Sequence, residues 1–288
     1  KTGDAVEVGG KMYINDGKSL VEWQMTKEMF LKLFPPAQRY ATIQGNLGDC
    51  YLVSSMTSMM NSPECRAELY KSFKLEGNDV VVTIKGYEDF KGSKTFPNGD
   101  IKVDNNMKHV IGCKGIAMLE QTYAQVALRE SYFDFLPSLS ENTTPYSLMQ
   151  RVQSGYENEA MSELLGLENL GKLPISKPYT DNKKSSVLFS INNINNEADK
   201  VKAYLTQYAG KKNYILQLGT VPKDKEAVES SLLKGYNLVS SHAYNIVGYD
   251  ATTEIVKITN PHNASVVTEI PFSELVKYMR SIIITNLN

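Results

Sequence analysis

The chain reads as an α+β protein, with helices gathered in its first half and strands in its second. Three observations predict this class. Apolar residues recur at three- and four-residue steps in 26–34, 52–60 and 115–128, the period of a helix with one buried face. Short apolar and β-branched runs at 186–191, 214–218, 239–249 and 254–260 read as strands. Between the two regions lies Gly171 to Pro178, which reads as a boundary. The junction is placed near Gly166–Pro178, so residues 1–166 form a lead-in and a helical unit, and residues 167–288 a strand-rich one. A chain of 288 residues can supply two such cores.

The elements follow in order. Residues 1–20 are rich in Gly and Asp and suit an extended lead-in or a small hairpin. Met29, Phe30, Leu33 and Phe34 mark a helix that Pro35-Pro36 ends. The polar loop 37–48 then enters a helix whose apolar face is Leu52, Val53, Met56, Met59 and Met60, stopped by Asn61-Ser62-Pro63. A further helix is expected over 64–73 and a strand over 79–84. Turns and a hairpin with Asn98-Gly99 at its tip are expected over 86–100. Ile116, Leu119, Tyr123, Val126 and Ala127 share a helical face, and 137–158 reads as loop. In the second half, Asp199 to Tyr208 is a helix between two strands. Asp250 to Thr253 is a turn, and the chain closes with a helix and a strand over 282–287.

Composition narrows the function. Net charge is −1, which gives no field to attract nucleic acid or an anionic membrane surface, and no apolar run reaches a membrane span. The sequence opens without an initiator Met or a signal peptide, as a processed protein or an excised domain would. Cys50, Cys65 and Cys113 are too few for a disulfide scaffold and fit a reducing compartment. His109 has no metal-ligand spacing around it and reads as structural or exposed. The runs Lys183-Lys184 and Lys211-Lys212 read as solvated surface.

The stretch with chemistry in it is Gln44-Gly-Asn-Leu-Gly-Asp-Cys-Tyr-Leu-Val53. Asp49 is placed as the N-cap, which puts Cys50 in the first helical turn. Free N–H groups and the helix dipole there favour a thiolate and lower a thiol pKa. Gly45 and Gly48 allow a tight backbone beside the thiol, and the neutral amide of Gln44 could reach an oxyanion. A cysteine beside an apolar helix is ordinarily a small buried hydrophobe, so the chemistry rests on the combination. The combination includes His242, on the strand 239–249, and Asn260, on the strand 254–260. A turn centred near residue 251 sets these two opposite each other with side chains on one face, unless a bulge shifts the register.

Gln-Gly-x-Leu-Gly-Asp-Cys-aromatic-Leu resembles the signature around the nucleophile of calpain-type cysteine proteases. Met118-Leu-Glu-Gln-Thr-Tyr-Ala-Gln-Val126 is similar to a core helix of that family. Ser154-Gly155 followed by Glu159 to Gly166 resembles the end of its cysteine-bearing half. His242-Ala-Tyr-x-x-x-Gly248, with Asn260-Pro261 eighteen residues after the histidine, resembles its base and orienting amide. Ile270-Pro-Phe-Ser-Glu-Leu275 looks like its close. The resemblance runs from about Trp23 to Leu287, with a divergent middle.

It implies a papain-like two-lobed core and an endopeptidase acting on polypeptides through a thioester acyl-enzyme. Cys50, His242 and Asn260 would be catalytic and Gln44 the oxyanion donor, with Gly48, Tyr51 and His262 lining the cleft. An acyltransferase of transglutaminase type and a silent binding scaffold are the competing readings.

The departures are specific. Tyr51 stands where the family usually has Trp after the cysteine, and Ala41 where it has an Asp calcium ligand. His262 stands where it has Trp. An unacidic loop, 262–267, replaces an acidic one. Calcium sites need several oxygen ligands, usually with carboxylates, so neither calcium nor any other cofactor is expected.

Overall fold

Two hydrophobic cores divide the chain, one built mainly from residues 12–165 and the other from residues 175–284. The computed structural model describes all residues except 41, 46, 91, 102–109, 127–151, 223–235 and 237, and the side chains of 88–90, 126, 194 and 195. His109, Ala41, Ala127 and most of the expected loop 137–158 therefore lie outside the described residues.

Of the two forms expected for residues 1–20, the small hairpin is present, and a third strand joins it. Strands β1 (Ala5–Val8), β2 (Lys11–Asn15) and β3 (Leu20–Trp23) form an antiparallel sheet in that order. Trp23 fastens it to the core: its indole N–H donates to Phe73 O at 2.6 Å. Around it, Phe34 packs edge-on against Tyr70 and Phe73 with ring centroids 5.0 and 5.2 Å apart, a favoured aromatic geometry. Helix α1 (Lys27–Leu33) begins where Thr26 accepts from the Met29 N–H and ends before Pro35-Pro36.

Helix α2 (Cys50–Asn61) runs directly into α3 (Pro63–Lys71). Ser62 ends the first and caps the second, and Pro63 sits in the first turn, where its missing N–H costs nothing.

Strands β4 (Phe73–Glu76), β5 (Asp79–Thr83) and β6 (Ser93–Phe96) make a second antiparallel sheet. Asn98-Gly99 is not the tip of the hairpin. It follows β6 in a separate turn, where Asp79 accepts from the Asn98 N–H and Asn98 takes φ 52°. Helix α4 (Lys114–Val126) buries Ile116, Leu119 and Tyr123. It passes so close to Phe34 that a Cβ on Gly115 would lie 2.3 Å from the ring. Helix α5 (Glu157–Leu165) starts inside the stretch expected to be loop and ends at Gly166, with φ 64°.

The second half is a seven-stranded sheet. Its strands in chain order are β7 (Glu168–Pro174), β8 (Ser185–Ser190), β9 (Tyr214–Thr220), β10 (Ala243–Asp250), β11 (Ile255–Asn260), β12 (Asn263–Pro271) and β13 (Met279–Asn286). Their order in the sheet is β12-β11-β10-β9-β13-β8-β7, antiparallel except for β7 beside β8. Helix α6 (Ile194–Tyr208) begins five residues before the expected Asp199 and buries Val201, Leu205 and Tyr208.

The stretch Gly171–Pro178 includes the end of β7, an exposed edge strand, where Pro174 breaks no interior ladder. One expectation is corrected. Residues 262–267 are not a loop: from Asn263 on they are strand, paired with β11 across a turn at Pro261-His262. Among the described residues, no helix is long and apolar enough to cross a membrane.

The two cores meet where α2 lies on β10 and α5 on β8 and β13, with Ile215 and Ala243 in the first core, and side chains of α2, β9 and β10 add a polar seam. Gln217 Nε2 donates to Ser54 Oγ at 2.8 Å and to Ser55 Oγ at 3.3 Å. Ser58 Oγ donates to Asn245 Oδ1 at 2.7 Å. Gln217 and Asn245 are cross-strand partners, and all five side chains are buried. Removing one member leaves buried groups unpaired, which costs about 1–3 kcal/mol. Gln217→Leu is therefore expected to lower unfolding stability by roughly that amount. Urea denaturation measures it, and an unchanged midpoint would show that the seam does not hold the cores together.

Candidate active site

Cys50 is the first residue of α2, and Asp49 occupies the cap position as expected. The Asp49 side chain nevertheless makes no capping bond; it turns inward and is fully buried. The thiol is half-buried. Its partner on the sheet is the backbone N–H of Ala243, which favours the thiolate, but burial dominates and pushes the Cys50 thiol up to about 11. This reverses the lowered pKa expected from the helix start: desolvation outweighs the dipole. Cys65 and Cys113 are deeper still, with thiols pushed up by burial to about 12 and 11.

His242 stands one residue before β10 rather than within it. Its backbone is clamped by Thr220, whose Oγ1 accepts from the His242 N–H at 2.9 Å and whose own N–H donates to His242 O at 2.9 Å. Ser241, just upstream, takes φ 50°, an uncommon conformation for serine and one that turns the chain into the strand.

His242 Nε2 pairs with Asn260 Oδ1 at 2.8 Å. The same Asn260 oxygen accepts from the His262 N–H at 2.9 Å, which holds the amide still. The ring of His262 lies flat on His242, centroids 4.8 Å apart and planes 8° apart, and Tyr244 meets His242 edge-on at 5.0 Å. Burial holds the imidazole down at about 4, against the opposing effect of the Asn260 bond.

The contact forms in a register different from the expected one. Asn245 faces Thr259 and Ile246 faces Ile258, with a bulge before Gly248. Asn260 therefore lies level with Tyr244 instead of His242. His242 is two residues away on the same strand face, within diagonal reach of a long side chain.

The remaining candidates fare differently. Gln44 is buried beside the turn 261–262 and the start of β12: its N–H donates to Pro261 O, and Ala264 N–H to Thr42 O. Its amide Nε2 donates to Leu47 O at 2.7 Å and Asp49 Oδ1 at 3.3 Å, while Oε1 is buried without a partner among the described residues. In this state the amide is committed to the protein rather than directed at an open oxyanion site. Gly48 has no positive φ, and a Cβ there would meet no described residue within 4 Å, so a tight turn does not require it. Tyr51 is a core residue, 1% exposed, and not a wall of the cleft. His262 covers the His242 ring.

Among the described residues, the Cys50 thiol and the His242 ring share no hydrogen bond, although α2 packs on β10 and the thiol reaches Ala243 next door. No group of three or more His, Cys, Asp or Glu among those residues is placed to hold a metal ion.

Sequence reasoning missed Thr220, the Tyr244 ring and Glu120, whose buried carboxyl faces Asp49. Thr220 gives no local signal because it comes from a different strand. Tyr244 was visible in His242-Ala-Tyr244. No protein-family model matches the chain, and no curated protein sequence matches it.

The depressed imidazole pKa makes stability depend on pH. Between pH 6.5 and about 4 the unfolded chain binds a proton at residue 242 that the folded chain does not. Stability from this group is therefore present above 6.5 and is lost as pH falls toward 4. The loss amounts to roughly 3 kcal/mol. Wild type should lose that much relative to His242→Gln between pH 7 and pH 4, read from paired urea melts. Parallel losses in both proteins would contradict a buried neutral imidazole.

Proposed function

We propose that this chain is the protease core of a calpain-type cysteine endopeptidase, with residues 1–166 and 167–288 as the two lobes of a papain-like arrangement. The observation that carries the reading is the bond between His242 Nε2 and Asn260 Oδ1. It orients the imidazole with a neutral amide and leaves the other ring nitrogen for a proton from sulfur. Cys50, at a helix start packed on the same strand region, supplies that sulfur. The sequence resemblance supports the same assignment.

In this mechanism His242 removes the Cys50 proton as the thiolate attacks a peptide carbonyl. The negative charge that develops on the carbonyl oxygen is met by the Cys50 N–H, free of an intrahelical acceptor at the first helical position, and by the Gln44 amide. His242 then protonates the leaving amine and activates water against the thioester. Neutral thiol and neutral imidazole are the resting forms, so proton transfer accompanies substrate entry. A small movement of the lobes that brings sulfur to nitrogen and frees the Gln44 amide would complete the site, since interfaces between lobes commonly move.

The test is hydrolysis of a denatured protein substrate such as casein. Cys50→Ala should abolish it. Gln44→Ala should lower kcat by roughly 100-fold, the typical loss for one oxyanion donor. EDTA should change nothing, because the acidic ligands of the family's calcium sites are replaced at Ala41 and in 262–267. Full activity in Cys50→Ala would end the assignment, and activity lost to EDTA and restored only by calcium would end the calcium-independent part. Product analysis with an added amine separates hydrolysis from acyl transfer.

A further inference from the structure

Beneath the site lie two acids that the mechanism does not use. Asp49 and Glu120 are both fully buried. Asp49 comes from the residue before the nucleophile, and Glu120 from the middle of α4. Both Glu120 oxygens accept from the Val110 N–H, at 3.2 and 3.1 Å. Asp49 Oδ1 accepts from Gln44 Nε2. Among the described residues Asp49 Oδ2 meets no N–H or hydroxyl, and the Asp49 carboxyl lies beside that of Glu120.

Two carboxylates that close in a dry interior cannot both stay ionised, and a single proton between them turns the repulsion into a bond. Burial raises the Glu120 carboxyl strongly, with the Asp49 charge adding to it, and burial brings Asp49 up to about 6. Glu120 is the more strongly raised of the two, so a proton between them sits better on Glu120 than on Asp49.

We propose that Asp49 and Glu120 are positioning residues for the oxyanion donor: they share one proton, and the Asp49 oxygen it leaves free holds one amide hydrogen of Gln44. Holding that hydrogen fixes which way the amide faces. The second hydrogen, resting on Leu47 O, is the one that exchanges onto the substrate oxygen. Neither acid touches substrate; both act through Gln44. The inference rests on the peptidase reading, and its test separates the two.

Asp49→Ala should lower kcat by roughly 30- to 100-fold, approaching the loss expected for an absent oxyanion donor, with KM within about twofold, because the interaction is made in the transition state. Alkylation of Cys50 by chloroacetamide uses no oxyanion and should keep its rate within about twofold. Combining Asp49→Ala with Gln44→Ala should give no further loss beyond Gln44→Ala alone, as expected for residues acting as one unit.

The isosteric variants should recover most of kcat. Asn at 49 can accept from Gln44 and donate to Glu120, and Gln at 120 can donate to Asp49. These two variants also decide the matter if the alanine variant does not fold. Full kcat in folded Asp49→Ala, multiplicative losses in the double variant, or Asp49→Asn and Glu120→Gln as impaired as Asp49→Ala would each overturn the proposal. Wild type without any peptide turnover would instead overturn the peptidase reading, and the role of Gln44 with it.

Discussion

The rotation of α2 about its own axis decides where the sulfur points, and a polar seam sets that rotation. Cys50, Ser54 and Ser58 are spaced by four, so they form one stripe along the helix. Ser54 and Ser58, with Ser55 beside them, are hydrogen-bonded to Gln217 and Asn245 on the sheet. Apolar contacts would tolerate a helix that slides or rolls. Directional bonds in a buried interface do not, because each misplaced donor is left unpaired. The stripe that bonds to β9 and β10 near its middle therefore delivers Cys50 to the Ala243 amide at its start.

The same burial sets the chemistry. Removing the thiol and imidazole from water costs both charged forms, so the pair rests neutral even though a helix N-terminus and an orienting amide stand beside it. Desolvation is the larger effect here because the dipole acts through a few N–H groups while the loss of water acts on the whole group. Asn260 supports the imidazole without adding a negative charge, and the single amide oxygen that does so is itself fixed by the His262 N–H. The imidazole is therefore held in orientation more firmly than it is tuned in charge.

How legible this was in the sequence depends on the range of the interaction. Helix α2 could be read almost to the residue, because its apolar period and its stop at Asn61-Ser62-Pro63 are local. The strands β8 to β11 were visible for the same reason. Strand β12 was not: its stretch Asn263 to Pro271 buries few side chains and alternates weakly, so only its pairing with β11 makes it a strand. The His242–Asn260 contact was foreseen from turn counting, yet the register was two residues off, and the contact survives because side chains two apart share a face. The pKa directions and the Asp49–Glu120 pair had no sequence signal, since both come from chain segments brought together only by folding.

Proton exchange between Cys50 and His242, across nearly two hundred residues of chain, is what the proposed chemistry requires, and the rate of Cys50 alkylation by chloroacetamide across pH 5 to 10 tests it most directly. With His242 present, the rate should be substantial near neutrality, because the imidazole takes the proton as sulfur reacts. In His242→Gln, the rate should fall at neutral pH and climb only as hydroxide ionises a thiol whose pKa is about 11. Superimposable profiles for the two proteins would mean that the imidazole and the sulfur do not act together.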